Sequence, residues 1–513
     1  MPESNSAADS NPLSALSSLL RPPPPTPMAP TRVPEPKPVE QSLAAKIIEG
    51  RSSENPGPAR GSESRPADAR ANGSASAPGS SATARAANAK DQPVDFFPTE
   101  AKSLEETGLT MGDIEGLVLK FLLNVGAQSG RTIAERLRLP FLPMLDFLAK
   151  LKQDRLVIYK GSAGVGDFVY ELTETGTDRA RRFAEISSYC GAAPVTLQEY
   201  LGSVKAQSPT MRKPNLGELC RAFADLLLSR DLVVQLGQAV HAGRGMFLHG
   251  PPGNGKTSIA ERISRSYGDG IWIPRTISVW GEFIRLYDPS VHEAFPLPPP
   301  REGLMAERKV DERWVRIHRP TIVAGGELTL ANLELSTNPH TGIHEAPLQL
   351  KANGGVLVID DFGRQRISVA ELLNRWIVPL EKRRDYLSLT SGVKVEVPFD
   401  QLVVFSTNLE PRDLVDEAFF RRIPYKVNVP DPSEDDFRLL WNAAAKQLGV
   451  EVPAESLAFL IENHYRKNNR PFRFCHPRDL LLQVANFCSL QSLPPVATKE
   501  ALQVAVRNYF SSL

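Results

Sequence analysis

Residues 245–268 read GMFLHGPPGNGKTSIAERISRSYG, and the rest of this 513-residue chain is organised around them. Met246, Phe247 and Leu248 are a short apolar run that predicts a buried strand. A glycine- and proline-rich loop follows over 250–255. Lys256 and Thr257 then open a helix, with Ile259, Ala260 and Ile263 on its apolar face and Gly268 at its end. The spacing GxxxxGK[ST] is that of a phosphate-binding loop. Glycine lets the backbone curl tightly enough to aim successive N–H groups at a phosphate, and the helix N-terminus adds partial positive charge. Gly250, Pro251, Pro252, Gly253, Asn254, Gly255, Lys256, Thr257 and Ser258 are therefore the candidate nucleotide-binding set. Lys256 is placed to reach the β- and γ-phosphates, and the Thr257 hydroxyl to ligate Mg²⁺. The bland alternative is an ordinary glycine-rich turn, and the flanking strand and helix argue against it.

Composition sets broad limits. The length suggests two to four domains. Lys+Arg number 60 and Asp+Glu 59, so no global charge points to nucleic acid or an anionic membrane. Cys190, Cys220, Cys475 and Cys488 contain no CxxC pair and read as buried thiols in a reducing compartment. There is no run of 18 apolar residues and no secretory signal, so a cytoplasmic protein without a membrane span is expected.

Residues 1–100 are rich in Pro, Ala, Ser, Gly and Arg and are expected to be disordered. Within them 21–25 is a polyproline segment, and 13–20 and 43–48 have helical spacing. Residues 104–190 predict a small α+β domain. Ile114, Leu117, Val118, Phe121 and Leu122 mark one helix, 132–137 a second, and Leu142, Leu145, Leu148 and Leu151 a third. Strands at 156–159 and 168–172 flank a glycine-rich turn, and 177–186 is a closing helix. Three helices and a hairpin resemble a winged helix, as does the phrase LTETGTDRARRF. Only Lys150 and Lys152 sit near the end of the third helix, so DNA is possible by resemblance but is disfavoured against protein docking. Residues 191–215 read as a linker and 216–241 as mostly helical, and resemblance to P-loop folds implies that apolar residues from 226 to 236 contact the nucleotide base.

Downstream, 270–279 reads as the next strand. The segment 285–352 is long for a connection and contains His292, His318, His340 and His344. It is read as an inserted client-binding element with a β-ribbon over 321–335, and the histidines have no metal-ligand spacing. Val356, Leu357, Val358 and Ile359 then run into Asp360 and Asp361, which places two acids at the carboxyl edge of a parallel sheet, where ligands bind. The run 402–408 is another apolar strand, ending at Asn408. Residues 425–429 form a last strand, and Pro430 and Pro432 break into an all-helical end with helices at 434–448, 454–465, 476–489 and 499–510.

From about 215 to the C-terminus the chain resembles an AAA+ ATPase, an α/β core at 216–430 plus a helical lid at 431–513. The resemblance implies ATP and Mg²⁺ as cofactors. It implies that Asp360 holds the metal, as the Walker B acid, and that Asp361 polarises the attacking water. That position is usually Glu, and Asp is one methylene shorter. Asn408 takes the place of sensor 1, either Arg421 or Arg422 that of an arginine finger reaching a neighbouring subunit, and Arg478 that of sensor 2. A hairpin over 386–397, just before the sensor 1 strand, resembles the pre-sensor-1 branch, with the MoxR type nearest. The resemblance implies a homo-oligomeric ring, such as a hexamer, coupling hydrolysis to remodelling a protein client. A DNA-linked regulator and an ATP-binding switch with weak hydrolysis are the alternatives.

Overall fold

The computed structural model describes residues 96–268, 270–296, 309–414 and 417–510. The tail read over 1–100 lies almost wholly outside them.

The centre is a five-stranded parallel sheet. Its strands are β1 (Met246–His249), β2 (Thr321–Ala324), β3 (Val356–Ile359), β4 (Leu402–Thr407) and β5 (Tyr425–Asn428). They lie in the order β2-β3-β4-β1-β5, and every neighbouring pair is parallel. β3 and β4 are buried along their whole length, as strands covered on both faces must be. Successive side chains point to opposite faces. Met246, Leu248, Val356 and Val358 pack with Leu236, Val240 and Ile259 on one side. Phe247, Leu357, Ile359 and Phe405 pack with Leu372, Leu373 and Trp376 on the other. After β5 the chain enters a helical unit, Glu434–Leu448, Ala454–Leu460, His476–Leu490 and Lys499–Tyr509, built around Phe437, Trp441, Leu460, Leu480 and Leu502. The glycine-rich loop follows β1, the acid pair follows β3 and the helices lie behind β5, an α/β core with a helical unit after it.

Ahead of it, helices Met111–Val125, Gly130–Leu137 and Phe141–Gln153 lead into the hairpin Val157–Gly164 and Asp167–Leu172, followed by the helix Glu174–Ile186. The buried Arg313 fastens this unit to the core. It pairs with Asp311 and donates to the Thr107 and Pro194 carbonyls, each at 3.1 Å. A buried guanidinium requires such a full set of acceptors.

Three sequence readings change. Residues 191–215 are not simply a linker. Val195–Thr196 pairs with Ile277 and Ser278, and the Thr196–Glu199 capping box starts the helix Leu197–Ala206. The stretch 270–279 is not a strand of the central sheet. It splits into Ile271–Pro274, which pairs with Trp314–Ile317, and Thr276–Val279, which pairs with Glu282–Arg285. No β-ribbon forms over 321–335, because Thr321–Ala324 is the edge strand β2 and Leu330–Leu333 is a 3-10 turn. Material outside the central sheet therefore flanks β2 on both sides, because His344–Glu345, which follows it, pairs with Glu282–Arg285, which precedes it. As read from the sequence, 216–241 is mostly helical, in two helices, Leu216–Ala222 and Arg230–Ala242.

The turn between Thr276–Val279 and Glu282–Arg285 carries Trp280 at φ 52 and Gly281 at φ 82. A two-residue hairpin turn with both φ positive favours Asn at its first position, and a bulky side chain there is strained. Trp280 is 80% exposed, so packing does little to offset that strain. Trp280→Asn is expected to stabilise the chain by roughly 1 kcal/mol, read as a higher urea midpoint. An unchanged or lower midpoint would contradict the strain.

Candidate active site

The sheet order brings the chemistry together. β4 lies between β1 and β3, so the loops leaving their carboxyl ends are neighbours. The phosphate loop leaves β1, Asn408 follows β4, and Asp360 and Asp361 follow β3. Gly250, Gly253 and Gly255 have φ of 136, 82 and 75, a region where only glycine is unstrained. At Gly250 a Cβ would also lie 2.4 Å from the Val429 carbonyl.

Lys256 is buried and donates three hydrogen bonds, to the Gly250 and Pro251 carbonyls at 2.9 Å each and to Asn408 Oδ1 at 2.6 Å. Burial pushes its ammonium pKa below the ordinary lysine value, and the Asp360 and Asp361 carboxylates pull in the opposite direction. The Thr257 hydroxyl donates to Asp360 Oδ2 at 2.7 Å. Asn408 Nδ2 donates to Asp361 Oδ1 at 3.2 Å. A hydroxyl and a carboxylate side by side, next to amides suited to phosphate, are hard oxygen donors of the kind Mg²⁺ takes with few protein ligands. No cluster of three or more His, Cys, Asp or Glu among the described residues is arranged to hold a metal ion.

The two candidate finger arginines differ. Both sit at the end of the short helix Glu417–Arg422. The Arg421 side chain is 82% exposed, and its ion pair to Glu417 is long, 3.9 Å. Arg422 is mostly covered, pairs with Glu381 at 2.7 Å, and lies over the Phe419 ring.

The helical unit meets the phosphate loop through residues that the sequence reading passed over. Cys475 N–H donates to the Gly253 carbonyl at 3.0 Å, and Phe474 N–H to Asn254 Oδ1 at 3.4 Å. Asn254 Nδ2 donates to Asp431 Oδ1 at 2.7 Å, and Asp431 also pairs with Arg473. Arg478 is exposed in the first turn of the helix His476–Leu490, which starts at this contact. No sequence signal marks Arg473, because its place depends on how the helical unit folds back. Gln365 was missed too. Its Nε2 donates to the Asp360 carbonyl at 2.7 Å.

Beside the phosphate-loop helix lies an apolar cavity of about 240 Å³ between Leu216–Ala222 and Arg230–Ala242. Cys220, Phe223, Leu226, Leu228 and Val233 line it. Asp225, in the loop between those helices, pairs at 2.8 Å with Arg262 of the phosphate-loop helix.

A protein-family profile described as a domain of unknown function (DUF8689) matches residues 433–508, within the helical unit. No curated protein matches the chain. Among solved structures, NtrX from Brucella abortus in complex with ADP aligns at 15% identity with a TM-score of 0.35, over 58% of this chain and 59% of that one. The RuvB Holliday junction branch migration motor of Thermotoga maritima aligns at 14% identity with a TM-score of 0.31, over 55% and 70%. The chain thus spans about three-fifths of the length of that NtrX structure. Likeness at these scores is too low to bear on activity.

Proposed function

We propose that this chain is an Mg²⁺-dependent ATPase that works as a ring of like subunits and couples hydrolysis to remodelling a protein client. The observation that carries the reading is the convergence of Lys256, Thr257, Asp360, Asp361 and Asn408 at one sheet edge, linked pair by pair at 2.6–3.2 Å. The phosphates of ATP take the amides of 250–255 and the Lys256 ammonium, and the base takes the apolar cavity beside Phe223 and Leu226. Thr257 and Asp360 hold Mg²⁺, which when bound neutralises phosphate charge. Asp361 orients and polarises the attacking water, with Asn408 holding its carboxylate. Arg478, exposed at the start of its helix, completes the nucleotide contacts from the lid.

Exposure supports Arg421 as the residue that reaches a neighbour's γ-phosphate, and Arg422 as a structural anchor. Arg421→Ala and Asp361→Asn are each expected to lower ATP turnover by about 100-fold or more while ATP still binds. A mixture of the two variants is expected to regain part of the activity, since each supplies what the other lacks. Turnover near the wild-type rate in Asp361→Asn would remove the role given to that residue. Failure of the mixture to recover would remove the shared site.

One observation favours a second reading. Asp361 is shorter than the usual glutamate, which suits a switch that binds ATP and hydrolyses it slowly. The small N-terminal unit supports protein docking over DNA, because its hairpin turn at 161–166 carries no charged side chain and Lys152 is laid over the Tyr159 ring. A cytoplasmic location is part of the proposal. No described helix is long and apolar enough to cross a membrane.

A further inference from the structure

The turn that follows β3 is fastened on two sides. On the β4 side, Phe362 N–H donates to the Ser406 carbonyl at 2.7 Å, and the Thr407 hydroxyl donates to the Phe362 carbonyl at 3.0 Å. On the other side a single side chain spans the turn. Gln365 Nε2 donates to the Asp360 carbonyl at 2.7 Å, and Gly363 N–H donates to Gln365 Oε1 at 2.8 Å. Both ends of one amide are thus used across the bend, as a backbone peptide would use them. Arg364 N–H closes the turn onto the Asp361 carbonyl at 3.0 Å.

Inside this frame Asp361 has φ 48. Aspartate tolerates that region better than most residues, yet it keeps the conformation only where its surroundings over-determine it. The φ value fixes the direction of the Asp361 Cα–Cβ bond, and a two-atom stem leaves little freedom to correct an error. Glutamate would have one more rotatable bond.

We infer that Gln365 is a positioning residue for ATP hydrolysis. It locks the left-handed turn that brings the short Asp361 carboxylate to Asn408 and the water side of the γ-phosphate. This deepens the ATPase reading above and rests on it. Gln365 reaches the reacting atoms only through Asp360 and Asp361. Its loss should therefore affect kcat and not nucleotide affinity.

The test uses full-length chains with Mg²⁺ and ATP. Gln365→Ala is expected to lower kcat by about 10- to 100-fold, with KM and ATP affinity within about threefold of wild type. Gln365→Glu supplies a signature that a merely structural role would not. Its carboxylate keeps the acceptor for Gly363 N–H but sets an oxygen against the Asp360 carbonyl. Once protonated, it donates there as the amide does. The kcat of Gln365→Glu relative to wild type should therefore rise as pH falls from about 8 to about 5. An unchanged kcat in Gln365→Ala, or a flat ratio across that range, would overturn the lock while leaving the ATPase intact. A wild-type chain that binds ATP without turning it over would overturn the ATPase reading and the lock with it.

Discussion

Lys256→Ala is expected to abolish measurable ATP turnover, with a loss of at least about 100-fold, the scale seen when one preorganised electrostatic contact is removed. The ammonium is the only cation hydrogen-bonded to both the phosphate loop and Asn408 among the described residues. Three hydrogen bonds hold it in place, so it costs little reorganisation to use. Removing it takes away a charge that partial burial has made more effective. The fold should survive. The Gly250 and Pro251 carbonyls lie on a loop open enough for water to replace the lost donor, so stability should change by no more than about 1–2 kcal/mol. The measurements are steady-state hydrolysis, nucleotide titration and urea unfolding. Wild-type turnover in Lys256→Ala would end the phosphate-loop reading, and a collapse of the unfolding midpoint would show that the lysine is structural.

The second large effect is on folding. Gly355→Ala is expected to destabilise the central sheet by about 3 kcal/mol or more. A Cβ at Gly355 would sit 2.0 Å from the Pro320 carbonyl oxygen and 2.8 Å from Pro320 Cδ. That same carbonyl accepts from Val356 N–H at 2.9 Å, the hydrogen bond that opens the β2–β3 ladder. No side chain can rotate away, because the obstacle is backbone. Either Pro320 moves and carries β2 with it, or the ladder loses its first hydrogen bond. Because Asp360 closes the far end of the same strand pair through the Ala324 carbonyl, activity should fall with stability. Gly161→Ala is the control, since a Cβ there meets nothing within 4 Å. Denaturant midpoints and soluble yield distinguish the two. Equal midpoints would mean that the β2–β3 junction yields more easily than its backbone contacts indicate.

Much of the α/β half was legible because its signals are local. The phosphate loop is a contiguous run whose glycines, lysine and threonine act within a few residues of one another. β3 and β4 are short apolar runs, which suits strands buried on both faces. Two of the helix starts in the C-terminal unit carry their caps in sequence, at Ser433 with Asp436 and at Thr498. The hairpin Arg384–Ser388 with Lys394–Pro398 is marked by its alternating residues and by Ser391 and Gly392 at the turn.

What failed were assignments that needed a distant partner. The runs at 270–279 and 321–324 look alike in sequence, each a few apolar residues after a glycine or proline. Only pairing tells them apart, since Thr321–Ala324 joins β3 while Ile271–Pro274 joins Trp314–Ile317. A four-residue strand specifies which face is apolar but not which ladder it enters. The same limit hid Gln365, whose two hydrogen bonds cross a turn shaped by β4, and the contact of Cys475 with Gly253, made by residues more than two hundred positions apart.

The sequence by itself determined the glycine-rich loop after β1, the acids after β3, the polar end of β4 and the helical close of the chain. Each is a short-range pattern that physical chemistry constrains locally. The tertiary structure alone decided that the loops leaving β1, β4 and β3 are adjacent, that Arg421 is exposed while Arg422 is anchored, and that Asp361 is held at a positive φ. Those are properties of strand order and long-range hydrogen bonding, which no window of neighbouring residues contains.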